Sequence, residues 1–330
     1  MEKVVSGIRP TGPLHLGNYF GAVRNFIRMQ EEYDCRFFVA DLHSLTTHPK
    51  ADDLQANVNR LLTELIACGV DPEKATLFVQ SDLEEIPQLY LIFNMLAYKG
   101  ELERVVTFKE KARKQPNNVN AGLLTYPVLM SVDIIIHRAA KVPVGKDQEQ
   151  HLEMTRNFVN RFNHLYQTDF FPEPEAFNFG GQLVKIPGLD GSGKMGKSEG
   201  ANNAVYLGED PKSITKKVKR AVTDAGPTEP NSTPSEPVAN LFALMDAVSA
   251  PETVQQFRDA YADCSIRYGD LKVQLAEDII AFTAPIRERI AELDAQPDFI
   301  RNIRRAGAEK ARQTARETLE GVKEIIGLGY

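Results

Sequence analysis

The run from Lys3 to Asn18, KVVSGIRPTGPLHLGN, passes from an apolar stretch through a Pro-Thr-Gly-Pro turn into the start of a helix. Lys3 to Ile8 reads as a strand and Gly17 to Glu32 as a helix. A strand, a tight turn and a helix N-terminus in succession make an anion site, because unpaired backbone N–H groups and the helix dipole point at a bound phosphate. Gly17 would let a nucleotide approach the backbone where a Cβ would intrude. Alone the pattern is weak, since such turns more often cap helices and a lone histidine such as His15 more often packs than reacts.

The same alternation continues outward. Cys35 to Ala40 (CRFFVA) reads as a second strand and Thr76 to Gln80 (TLFVQ) as a third. Between them Asp52 to Cys68 carries Leu54, Val58, Leu61, Leu62 and Leu65 at helical spacing, so the first third predicts a parallel α/β sheet. From Glu101 the chain turns basic and then breaks at Gln115 to Asn120 (QPNNVN), which reads as a flexible loop. Leu123 to His137 is apolar nearly all round and predicts a buried helix with one ionisable side chain, Asp133, in its middle. A strand at Lys141 to Val144, a helix at Asp147 to Leu165, a Phe- and Pro-rich connection and a strand at Gln182 to Ile186 complete this part.

Beyond Asp210 strand signals nearly vanish. Lys212 to Thr223, Val238 to Val248, Pro251 to Ala262, Gly269 to Ala295 and Pro297 to Ile326 read as helices, with a loop at Gly226 to Pro237. The expected division is an α/β domain over 1–205 and a helical domain over 206–330, whose last helix could return to the first domain.

The 330 residues are 42% hydrophobic, as in a soluble globular protein with a sizeable core. A net charge of -6 argues against nonspecific coating of nucleic acid, which needs many lysines and arginines on phosphates. Cys35, Cys68 and Cys264 form no CxxC pair, so neither a structural zinc site nor a disulfide framework is expected. With no signal-peptide stretch and no apolar run of spanning length, the expected location is the cytoplasm.

A second element of chemistry is Lys194-Met195-Gly196-Lys197-Ser198, following Gly188-Leu-Asp-Gly-Ser-Gly193. Two lysines and a hydroxyl on a glycine-flanked loop can close over a polyphosphate, although an isolated pair of this kind is more often a solvated basic loop. In combination, HLGN near the N-terminus and KMGKS far downstream, with a helical region after it, resemble the signatures of the class I aminoacyl-tRNA synthetases. Across nearly the whole chain the resemblance is to the bacterial tryptophanyl branch, through SGIRPTGPLHLGNYFGA, Gly100 to Lys111 (GELERVVTFKEK), Ala121 to Asp133 (AGLLTYPVLMSVD) and Val142 to His151 (VPVGKDQEQH). Gly196 stands where that family usually has serine, and Asn18 replaces the last histidine of the first signature, as the tryptophan and tyrosine branch commonly shows.

The resemblance implies a Rossmann-like doubly wound parallel sheet with a C-terminal all-helical domain that reads the anticodon. It implies ATP as substrate, with Mg²⁺, on Arg9, Pro10, Thr11, His15, Gly17 and Asn18, on Gly145, Lys146 and Asp147, on Ile186, and on Lys194, Met195, Gly196, Lys197 and Ser198. His15, Lys111, Lys194 and Lys197 are the implied catalytic residues, and the remaining implied partners are L-tryptophan, tRNA(Trp) and a second copy of the chain. Leu89 to Tyr98 is a candidate for the contact between copies, or equally for core. Lys216, Lys217, Lys219 and Arg220, or Arg301, Arg304 and Arg305, are candidate phosphate contacts, although ordinary solvated helix faces explain each cluster at least as well.

A carboxylate inside an apolar helix costs several kcal/mol unless paired, so Asp133 needs either a buried structural partner or a ligand that donates a hydrogen bond. By resemblance it meets the indole N–H, a pure donor facing a pure acceptor. A phenol hydroxyl can donate as well, so the choice between tryptophan and tyrosine falls on Val5, where related tyrosyl enzymes carry a tyrosine and this chain offers only hydrocarbon. Met130, on the same helical face as Asp133, suits an indole ring; His43 and Val144 complete the pocket by analogy, with Tyr126 and Gln148 for the substrate ammonium. The rival readings are a tyrosyl-tRNA synthetase, a small-molecule nucleotidyltransferase and a non-catalytic paralogue; the last would not require His15, Lys194 and Lys197 intact. Replacing Lys194 with alanine is expected to slow adenylate formation far more than it weakens tryptophan binding, and equal losses in single-turnover rate and in binding would contradict the assignment.

Overall fold

A computed structural model describes residues 1–143, 145, 149–177, 179, 185–191, 193–196, 200 and 202–329. Among the described residues five strands, β1 (Lys3–Ile8), β2 (Asp34–Val39), β3 (Thr76–Val79), β4 (Lys141–Val142) and β5 (Glu175–Ala176), form one sheet in the order β3-β2-β1-β4-β5. Every pairing is parallel, with Val4 of β1 opposite Cys35 on one side and Lys141 on the other. The chain steps outward from β1 to β3 and then returns across β1 to β4. Such a reversal leaves a crevice at the carboxyl ends of the strands, the usual binding place in open α/β sheets.

Neighbouring residues of a strand face opposite sides, and the core divides accordingly. Val4, Phe37 and Leu77 belong to one apolar layer, where Phe26 of the helix Arg24–Met29 stacks on Phe37 and the helices Ala51–Ala67, Glu236–Val248 and Tyr268–Asp294 continue the same core. Val5, Phe38 and Phe78 belong to the other, covered by Glu85–Asn94, Ala121–Ile135, Glu149–Leu165 and Pro297–Ile325. Burial on both faces explains why the strands read as continuous apolar runs. The helix Ala121–Ile135 starts where the Asn120 side chain accepts from the Leu123 amide at 2.9 Å.

The predicted helix over 17–32 is broken into Leu16–Asn18, a wide turn Tyr19–Val23 and Arg24–Met29. The basic stretch after Glu101 is helical over Val106–Lys114, since lysine, arginine and glutamate favour helix; the loop is confined to 115–120. There Gln115, Asn118 and Asn120 all donate side-chain hydrogen bonds to the Thr46 carbonyl. β5 lies in the segment read as a connection, because two paired residues leave no periodic signal. The expected strand at 141–144 pairs over Lys141–Val142, Val144 lying outside the described residues. Of the expected strand at 182–186, Gln182, Leu183 and Val184 are also outside them, and Lys185 and Ile186 are not strand.

The helix Pro297–Ile325 returns to the sheet. Arg304 grips both carboxylate oxygens of Asp82 at 2.7 Å, and Arg316 reaches Glu85 at 3.1 Å. At Gly307 a Cβ would stand 1.8 Å from the Leu77 carbonyl oxygen, so the helix backbone lies directly against β3, the outermost strand on that side. Arg304 is thereby turned to the protein and not to a phosphate, as is Lys217, which pairs with Glu209 at 2.7 Å. Among the described residues no helix is long and apolar enough to cross a membrane. Gly307→Ala is expected to destabilise the fold by about 1 to 3 kcal/mol or more, because the obstructing atom is backbone and cannot swing away; the midpoint of denaturant unfolding checks this.

Candidate active site

A cavity of about 490 Å³ opens at the carboxyl end of β1. Val5, Gly7 and Arg9 supply one wall, and His43, which follows β2, a second. The third wall is the helix Ala121–Ile135, whose Tyr126, Met130 and Asp133 stand at positions i, i+4 and i+7 and therefore share one face. Over seven residues at 1.5 Å each, that face separates Tyr126 from Asp133 by about 10 Å.

Asp133 is buried at 4% exposure and both its oxygens are held. The His43 Nε2 lies 2.9 Å from Oδ2, and Gln80 Nε2 donates to Oδ1 at 2.7 Å. Burial pushes the carboxyl up, and the hydrogen bonds from His43 and Gln80 and the nearby imidazole oppose that shift. A carboxylate offers about four acceptor positions, so with two donors in place it keeps room for another from the cavity. Asp133 thus has structural partners and also lines the cavity. Gln80, fully buried at the end of β3, was not foreseen; its signal is a lone polar residue closing an apolar strand. Above this end the Phe38 ring lies over Gly7, where a Cβ would come within 2.4 Å of it.

Toward the other end two cations face the cavity. Arg9 and Lys111 both line it, and Lys111 Nζ sits 3.9 Å from the centre of the Tyr126 ring. Among the described residues neither has a carboxylate partner within 4 Å. Burial, with Arg9 nearby, pushes the Lys111 amine down to about 8, and burial lowers Arg9 too. Desolvated cations without counterions call for an anion, and a polyphosphate would supply one.

The first signature is organised differently from its sequence-based reading. Its amides are already engaged: Leu14 N donates to Glu64 at 2.6 Å, His15 N to the Asn18 side chain at 3.1 Å, and Leu16 N to the Val205 carbonyl at 3.0 Å. His15 Nδ1 in turn accepts from Asn18 N, completing a reciprocal cap. Glu64, fully buried and paired with Arg60 at 2.7 Å, was another residue the sequence did not reveal, because it falls on the apolar face of its helix.

The second signature lies beside the first. A Cβ on Gly17 would stand 2.9 Å from His15 Nδ1 and 3.4 Å from Met195 Cβ, so the glycine admits both neighbours. Met195 N donates to the Ile186 carbonyl at 2.9 Å, and buried Asn203 donates to the carbonyls of Lys194 and Gly196. The residues expected to act therefore form two groups. Val5, Arg9, His43, Lys111, Tyr126, Met130, Asp133 and Gly145 line the cavity. His15, Gly17, Asn18, Ile186, Lys194, Met195 and Gly196 gather around the signature turn, joined to the cavity through Pro10 and Thr11. Val144, Lys146, Asp147, Gln148, Lys197 and Ser198 lie outside the described residues. Among the described residues no group of three or more His, Cys, Asp or Glu side chains could hold a metal ion.

A parallel sheet with its cavity at the strand ends and two signatures in contact define a class I synthetase. The chain belongs to the family of class I tRNA synthetases for tryptophan and tyrosine, whose model matches residues 1–284. It is 64% identical over 327 residues to the tryptophan–tRNA ligase of Porphyromonas gingivalis, covering 99% of each chain. With the tryptophan–tRNA ligase of Fusobacterium nucleatum it shares 38% identity over 99% of this chain and 98% of that one. The crystal structure of the Campylobacter jejuni tryptophanyl-tRNA synthetase, complexed with ADP and tryptophan, superposes with a TM-score of 0.88 at 31% identity, covering 99% of this chain and 100% of that one.

The amine of Lys111 is charged below about pH 8 and neutral above it. The kcat/KM for ATP, which reports the free enzyme, is therefore expected to fall as pH rises through that value. In Lys111→Arg, which stays charged, the alkaline fall should disappear; a fall that persists unchanged would remove Lys111 from the phosphate site.

Proposed function

We propose that this protein activates L-tryptophan with ATP and transfers it to tRNA(Trp). The observation that carries this reading is the fixed acceptor Asp133 at the apolar end of a cavity whose opposite end is cationic. An indole fits the first end and a nucleotide phosphate the second. The full-length similarity to tryptophan–tRNA ligases supports the same assignment.

In the first step the amino-acid carboxylate attacks the α-phosphorus of ATP, forming a C–O–P bond as pyrophosphate leaves. Arg9 and Lys111 face this charge from the cavity, and His15, Lys194 and Lys197 hold the leaving group from the signature turn and loop; Mg²⁺ arrives with the triphosphate. No protein nucleophile takes part, so the contribution of the chain is position and field. In the second step a hydroxyl of the terminal adenosine of tRNA attacks the aminoacyl carbonyl, and AMP leaves with the phosphate oxygen.

Val5 is the residue that turns the site away from tyrosine. It is buried in the cavity wall and presents hydrocarbon only, so a phenol oxygen placed there keeps an unsatisfied hydrogen-bonding position. The helices beyond 205 serve the anticodon end of the tRNA. A second copy of the chain packs on the face bearing Leu91, Met95 and Tyr98, which are 60%, 75% and 61% exposed although Leu89 and Phe93 beside them are core. The protein works in the cytoplasm, where its substrates are. Pyrophosphate exchange measured with each of the twenty amino acids should be stimulated by tryptophan at least roughly a hundredfold above tyrosine. Stimulation by tyrosine instead would move the assignment to the sister branch.

A further inference from the structure

Asp133 is the one carboxylate among the described residues that line the cavity, and it lies at the indole end. Among the described residues, what remains to hold the ammonium of the amino acid is neutral oxygens, close to the cations Arg9 and Lys111 that repel it. Tyr126 is placed for this, about 10 Å along the same helix face from Asp133. A hydroxyl, however, helps an ammonium only if its own proton points elsewhere.

His151 supplies that elsewhere. It is 1% exposed on the helix Glu149–Leu165, and its Nε2 lies 2.6 Å from the Tyr126 hydroxyl and 3.0 Å from Thr107 Oγ1. Thr107 and Tyr126 are hydrogen-bonded as well, so the three side chains close a triangle at the cavity wall, which Thr107 and Tyr126 line. Burial pushes the Tyr126 hydroxyl up, which keeps its proton on. We propose that His151 is a positioning residue for substrate recognition: its Nε2 accepts the Tyr126 proton, so that the Tyr126 oxygen, which also accepts from Thr107, keeps a lone pair for the substrate ammonium. This rests on the tryptophan reading given above and adds to it a residue that does not touch the substrate. The triangle also ties down the helix Val106–Lys114 through Thr107, one turn before Lys111.

The test compares two ligands on the full-length protein by calorimetry, tryptophan and indole-3-propionate, which has the same ring and carboxylate but no amine. His151→Leu should weaken tryptophan roughly tenfold or more and leave indole-3-propionate unchanged. His151→Gln, whose side-chain oxygen can accept from Tyr126, should restore most of the loss. Tyr126→Phe, nearly isosteric and therefore safe for folding, should show the same selective loss, and adding His151→Leu to it should cost no more. Equal weakening of both ligands, or no change in either, in folded His151→Leu would overturn the role. An additive double variant would overturn it too. If the unaltered protein bound neither ligand, the tryptophan reading itself would fall and this role with it.

Discussion

Two backbone hydrogen bonds hold the site together. Leu16 donates to Val205 and Leu207 to Leu14, an antiparallel bridge centred on His15 and Tyr206 that joins residues nearly two hundred positions apart. It fixes the turn after β1 against the chain that follows the lysine-bearing loop, a relation reinforced where Gly17 meets Met195. The bridge also dictates small side chains: Gly17 faces Met195 and His15, and Gly188 faces Asn203, whose oxygen a Cβ would overlap at 1.7 Å. Glu64 completes the arrangement from below by accepting from Leu14, its own charge balanced by Arg60.

The cavity is polarised by burial. At one end a carboxylate is stripped of water and given His43 and Gln80 in compensation. At the other, Arg9 and Lys111 are stripped of water with no carboxylate among the described residues in exchange. Both environments cost stability in the free protein, and both are relieved by a ligand that brings a donor to the first and negative charge to the second. An amino acid entering ring-first has its carboxylate delivered to the cationic end, the end that the proposed function gives to the nucleotide phosphates. Orientation and attack geometry then follow from the same charge separation.

The sequence was most readable where periodicity and burial agree. β1 to β3 and the long C-terminal helices lay close to their expected bounds, because both sheet faces are covered and the helices carry clear apolar stripes. Asp133 was legible as a charge out of place in an apolar helix. Its partner Gln80 was not, since one glutamine after a strand resembles any strand end. Thr107, His151 and Glu64 were hidden for a related reason: each acts through a neighbour brought near by the fold. The amides of the first turn were expected to be free, yet Leu14 and Leu16 donate to the distant Glu64 and Val205, something no local pattern can disclose.

The close approach of Gly307 to Leu77 has a further consequence. β3 ends the sheet on its side, and a bare outer strand is a template on which another extended chain can pair. Here the arginine-rich helix Pro297–Ile325 is laid along that strand and fastened at Asp82 and Glu85, so no foreign strand can dock there and growth into aggregates is blocked. The helix that seals this border lies more than two hundred residues downstream of β3. During synthesis the strand therefore stays bare until that helix has been made.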